Sequence, residues 1–250
     1  MTRRLMTAIA FLTRIPINPE PPFDGEDVAR STVFFPLVGC LMAALQVAVL
    51  YGLQGLAVPP VLQAVIVTII MVLLGGGLHQ DGLADMADGF GGGMTRDDVL
   101  RIMRDSTIGT YGGLALILSM ALRIASLSIL VVHAGVWQWL IAAAAISRCS
   151  ICLAWLMPYA RSQGTGASIT QFTGPNEVAG ACVFALLVSF FLLGLQGIAA
   201  WLITGLVFLT MAWLCRRRIG GVTGDTIGAT TETTEVLLLA LGATLVGAAS

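Results

Sequence analysis

The 250-residue chain is 57% hydrophobic and only 11% charged. A soluble domain carries about 25% charged residues, so an ordinary water-soluble globule and a disordered chain are both excluded. The 13 basic residues, all arginine, stand against 14 acids for a net charge of −1. That leaves no basic excess for a nucleic-acid backbone, and a polytopic membrane protein remains.

In chain order, Arg3 and Arg4 precede a short apolar run that Arg14 and Pro16 cut off, and no small-residue cleavage site follows. The run reads as a retained interfacial amphipathic helix rather than a signal peptide. Residues 18–31 read as a polar loop. Apolar stretches of roughly the 20 residues needed to span follow at 33–55, 60–78, 112–132, 136–157, 178–195, 197–215 and 235–249, the last being short. The expectation is an all-α transmembrane bundle of about seven spans in one domain, 1–250. The five cysteines all lie in apolar stretches, and Cys149 and Cys152 are read as packing residues.

Segments 79–111, 158–177 and 216–234 hold nearly all the remaining polarity. Eleven of the 13 arginines fall in these segments or near the N-terminus, none in the short connections, and Arg123 and Arg148 lie inside spans. The positive-inside rule therefore places the N-terminus and the three polar segments in the cytoplasm. The two arginines within spans are expected to line a polar cavity or pair with carboxylates.

The strongest local signal is the run from Gly75 to Gly93, which contains His79, Asp81, Asp85 and Asp88. On a helix continuing from the second span, the three aspartates share a stripe about 60° wide. Like charges so placed repel, and a divalent cation would turn that cost into binding. Carboxylate oxygens suit Mg²⁺ or Mn²⁺, and Mg²⁺ commonly joins one or two carboxylates to substrate phosphates. His79 falls roughly opposite the stripe unless the glycines break the helix. Arg101 and Arg104, i and i+3, suit phosphate oxygens or simple anchoring. A third cluster, Gly220 to Glu235, presents Asp225 and Glu232 on one face with Glu235 about 60° away. It repeats the chemistry of the first, so one shared metal site is expected.

The chain resembles the cobalamin synthase family, the adenosylcobinamide-GDP ribazoletransferases. The resemblance is carried by Phe11-Leu-Thr-Arg-Ile-Pro16, by Pro36 with Gly39, and above all by His79-x-Asp-Gly-Leu-Ala-Asp-x-x-Asp-Gly89. It continues through Arg101-Ile-Met-Arg-Asp-Ser106 with Gly109 and Gly112, Met157-Pro-Tyr-Ala-Arg161, and Gly224-Asp-x-x-Gly-Ala-x-x-Glu-x-x-Glu235. It implies a bacterial inner-membrane enzyme that joins adenosylcobinamide-GDP to α-ribazole or its 5′-phosphate with Mg²⁺, releasing GMP. Membrane lipid is its surroundings, and a homo-oligomer is left open.

On that footing Asp81, Asp85 and Asp88 are expected to ligate Mg²⁺, assisted by Asp225, Glu232 or Glu235. Arg101, Arg104 and Arg161 are expected to neutralise phosphate charge. A carboxylate or His79 would take the proton of the attacking ribazole hydroxyl. Two rivals are a CDP-alcohol phosphatidyltransferase and a transporter. The first expects Asp-Gly-x-x-Ala followed by an arginine; here Asp85 directly follows Asp81-Gly-Leu-Ala, so the match fails. The second expects repeats and mid-membrane ionisable groups, and no repeat is present.

Overall fold

The computed structural model describes residues 1–17, 22–161 and 165–247. Among these residues the protein is helical throughout, with one isolated parallel bridge between Tyr159 and Val222. The N-terminal run forms α1 (Thr2–Leu12), which buries Thr7, Ala8 and Leu12 and exposes Arg4 and Met6. Of the polar loop expected over 18–31, residues 18–21 lie outside the described residues. Its second half is helical: α2 (Gly25–Ser31) is closed by a reciprocal capping box between Asp24 and Asp27.

A 3₁₀ turn leads into α3 (Phe35–Gly55), and α4 (Pro60–Gly75) returns. Proline at the start of both helices costs no intrahelical hydrogen bond. The helix does not continue from α4 into the aspartate run, as the sequence suggested. Gly76 and Gly77 both take left-handed backbone, at φ 64° and 73°, which L side chains adopt only at a cost. The chain turns by 88° into α5 (Leu78–Gly92), so α5 lies across the end of α4 rather than extending it.

Next come α6 (Arg96–Ile102), α7 (Thr110–Leu130), α8 (Val136–Leu153), α9 (Thr165–Phe172), α10 (Pro175–Leu193), α11 (Gln196–Ile219) and α12 (Gly224–Gly247). Six stretches are long and apolar enough to cross a membrane on their own: α2 with α3, α7, α8, α10, α11 and α12. Counting α4 with its bent partner gives seven, as expected.

The last span differs from its expected bounds. It starts at Gly224, not at 235, so the third polar cluster is no loop but the first half of a buried helix. Its threonines make this possible. Thr230, Thr231 and Thr234 each donate a hydroxyl hydrogen bond to the carbonyl four residues earlier. The hydroxyls are thereby satisfied inside apolar surroundings.

Helices α8 and α12 form the centre. The run Ala142 to Cys152 of α8 is buried throughout, and α12 buries Ala229, Leu238 and Leu239. Helices α10 and α11 lie outside, exposing Val183, Phe190, Phe191, Leu202, Leu206 and Leu209. In water such a surface would aggregate; in hydrocarbon it is the solvent-facing side.

Candidate active site

Helix α5 crosses the first turn of α12 at very close range. A β-carbon added at Gly82 would stand 2.6 Å from the backbone oxygen of Asp225, so only glycine allows this approach. The contact brings the two distant acidic stretches together. Asp81, Gly82, Asp225 and His79 line one cavity, with Tyr159 and Arg161 beside them.

Arg161 is held there by the bridge between its loop and the segment before α12. Ala160 N donates to the Val222 carbonyl, and Val222 N to the Pro158 carbonyl, each at 2.8 Å. From that anchor the Arg161 guanidinium reaches the Asp225 carboxylate at 2.8 Å. Arg96 braces the same loop from α6, donating to the carbonyls of Ala160 at 2.7 Å and Ile219 at 3.0 Å.

Asp85, half-buried one turn beyond Asp81 on α5, adds its charge to those of Asp81 and Asp225, and Arg161 opposes them. This is the signature of carboxylates gathered without enough positive charge. Among the described residues, however, no three His, Cys, Asp or Glu side chains are already arranged to hold a metal ion.

The other acids expected at this site are engaged elsewhere. Asp88 accepts hydrogen bonds from the backbone N–H groups of Gly109 at 2.7 Å and Gly112 at 2.8 Å. It caps the start of α7, satisfying orphan donors and the positive end of the helix dipole. Glu232 and Glu235 lie two and three turns further along α12 than Asp225, about 10 and 15 Å deeper.

There the glutamates are saturated by α5, α7 and α8. Glu232 takes both oxygens to Arg123 at 3.0 and 3.1 Å, and also accepts from Gln80 at 2.5 Å and Ser119 at 2.8 Å. Glu235 accepts from Arg123 at 2.7 Å and Ser147 at 3.2 Å, and it pairs with Arg148. Arg123 and Glu232 are each 1% exposed. The expectation that the arginines within spans pair with carboxylates holds. The glutamates, read as a continuation of the surface acids, form a separate electroneutral core instead.

Arg101 and Arg104 stand apart as well. Both are exposed, Arg101 faces Asp98 across 3.6 Å, and neither lines the cavity. His79 does line it, on the Gly82 side of α5, and its Nε2 is buried without a hydrogen-bond partner. Gln80, which carried no signal in the sequence, is the residue that ties the surface helix to the buried core. Its partner lies 152 positions away, beyond any local pattern.

The family model for CobS, cobalamin-5-phosphate synthase, matches residues 4–243. A protein of Rhizobium meliloti (strain 1021) named adenosylcobinamide-GDP ribazoletransferase is 40% identical over 243 residues, 93% of this chain and 92% of that protein. One of the same name from Rhizobium johnstonii is 40% identical over 251 residues, 95% of each chain. Another, from Prosthecochloris aestuarii, is 36% identical over 239 residues, 94% of each. No solved structure matches the chain. With a match running nearly from end to end, and with the blocks that meet at the cavity inside it, the chain belongs to the cobalamin-5-phosphate synthase family.

Proposed function

We propose that this protein is an adenosylcobinamide-GDP ribazoletransferase of the bacterial inner membrane, with its N-terminus and the α5 acids on the cytoplasmic side. It joins adenosylcobinamide-GDP to α-ribazole or its 5′-phosphate and releases GMP. The observation that carries the reading is the meeting of Asp81 and Asp225, from family blocks 144 positions apart, at one cavity beside Arg161. The orientation is supported by the arginine distribution. The family match leaves the phosphatidyltransferase and transporter readings without support.

The donor set suits Mg²⁺. It is all oxygen, it carries excess negative charge, and Asp81 is exposed to an incoming ligand. Mg²⁺ needs only one or two protein carboxylates when substrate phosphates complete its shell, so a ready-made trio is not required. Asp81, Asp85 and Asp225 would hold it, and once bound it would offset charge on the pyrophosphate. Asp88, Glu232 and Glu235 already hold other partners and are not assigned to it.

In the reaction the ribazole hydroxyl attacks the phosphorus attached to the cobinamide arm. A new phosphodiester bond forms, and the bond to the GMP phosphate breaks. The hydroxyl proton passes to a carboxylate of the cluster or to His79. Arg161, held in place by Asp225, stabilises negative charge on the phosphates. The test is protein reconstituted in liposomes with adenosylcobinamide-GDP, α-ribazole and Mg²⁺. Release of one GMP per corrinoid product, abolished by chelation, is expected. Absence of GMP at saturating substrates would overturn the reading.

A further inference from the structure

Two cavities flank the start of α5, and both are lined by Leu78 and Asp81. The first, about 250 Å³, is faced by His79 and Gly82. It is closed by Phe11 of α1, Ile151 of α8, Tyr159, Ile169 of α9 and Ile227 of α12. The second, about 410 Å³, is faced by Gln80 and Ala84 and reaches Arg14, Ile108 and Leu116. On the helical wheel Asp81 lies between the two faces. The substrate-bearing ends of a two-substrate reaction must meet at one point, and Asp81 is such a point.

We infer that the first cavity is the acceptor subsite: it takes the benzimidazole-type ribonucleoside, and Phe11, Tyr159 and Ile169 set its specificity. This rests on the ribazoletransferase reading above. Size is the first argument. Pockets for drug-sized ligands run from about 300 to 1,000 Å³, so about 250 Å³ admits one small nucleoside and excludes a corrin macrocycle. Wall chemistry is the second. Two aromatic rings and three isoleucines suit a flat apolar base. A guanine edge, with its amine and carbonyl, would lose its hydrogen bonds to water against such walls.

The polar end is the third argument. His79 and Arg161 line the same cavity as Asp81 and Asp225, with His79 Nε2 and Arg161 Nε buried behind its surface without hydrogen-bond partners. Ribose hydroxyls, which both donate and accept, suit an end lined by imidazole, guanidinium and carboxylate side chains. The attacking hydroxyl is thereby delivered to the carboxylate that both cavities share.

The test uses the enzyme in liposomes with Ile169→Phe, which fills the cavity, and Phe11→Leu, which flattens one wall. At least a tenfold rise in KM for α-ribazole is expected for Ile169→Phe and a smaller rise for Phe11→Leu, with KM for adenosylcobinamide-GDP within twofold. A rise confined to the donor's KM would overturn the inference, as would no change in either. A second measurement needs no variant. α-Ribazole carrying a diazirine on its base, photolysed with the wild-type protein, should label peptides containing Phe11, Ile151, Tyr159 or Ile169. Labelling of peptides around Ile108 and Leu116 instead would overturn it. Labelling depends on binding rather than turnover, so GMP release with the wrong adduct sinks the subsite alone, and the correct adduct without GMP release sinks the reaction alone.

Discussion

Helix α12 carries two sets of acids that look alike in the sequence and differ completely in their surroundings. Asp225, in the first turn, is partly exposed, faces a cavity, and pairs with Arg161, the one guanidinium that lines this cavity with Asp81. Glu232 and Glu235, deeper by two and three turns, are buried and surrounded by two arginines, two serines and a glutamine. The first set has unspent negative charge; the second has none. An acid short of counter-charge beside an open volume is available for chemistry, whereas one with every lone pair occupied holds helices together.

The sharpest way to break this contrast is at its deep end. Arg123→Leu leaves Glu232 and Glu235 with part of their countercharge removed in an apolar interior. Loss of about 3–5 kcal/mol is expected, read as loss of folded protein in thermal unfolding or size exclusion. Full stability with reduced turnover would mean that the quartet is catalytic rather than structural. At the shallow end, Asp81→Asn or Asp225→Asn should lower GMP release at least about 100-fold, the scale of lost transition-state electrostatics, with the melting temperature held.

Gly82→Ala tests the contact between the two sets of elements. The new methyl meets the Asp225 backbone; a cost of about 1–3 kcal/mol and a fall of about tenfold in turnover should appear together. Asp88→Ala is expected to cost about 1 kcal/mol of stability, as a lost helix cap does, with turnover reduced only modestly. A collapse of turnover at unchanged stability would return Asp88 to the metal. Smallest of all, Arg101→Ala should leave KM for the donor within twofold, because that side chain is 73% exposed and lines neither cavity.

Much of this was legible beforehand, and the exceptions have physical causes. The spans of α3, α7, α8, α10 and α11 follow from apolar length, with a single arginine inside each of α7 and α8. The amphipathic α1 follows from its arginines and its early stop at Arg14 and Pro16. The meeting of Asp81 with Asp225 was expected from the chemistry the two clusters shared. The start of α12 was not, because glycine, threonine and acid over 224–235 read as a loop. Only the backbone carbonyls that receive the threonine hydroxyls, and the arginines that receive the glutamates, make that stretch fit for the membrane. Those partners lie on other turns and other helices, where periodicity carries no information. Asp88 shows the same limit. Its spacing fits the aspartate stripe, and its bonds to Gly109 and Gly112 depend on where α7 begins.

The buried quartet also bears on biogenesis. Arg123 and Arg148 belong to helices that leave the ribosome well before the glutamates of α12. An unpaired arginine at a span's centre costs about 2.5–3.5 kcal/mol to insert, so each must be tolerated by the translocon, or shielded by it, until the acids emerge. Integration of this chain is therefore completed from its C-terminal end, and a nascent product halted before Glu232 is left with two uncompensated cations in its transmembrane helices.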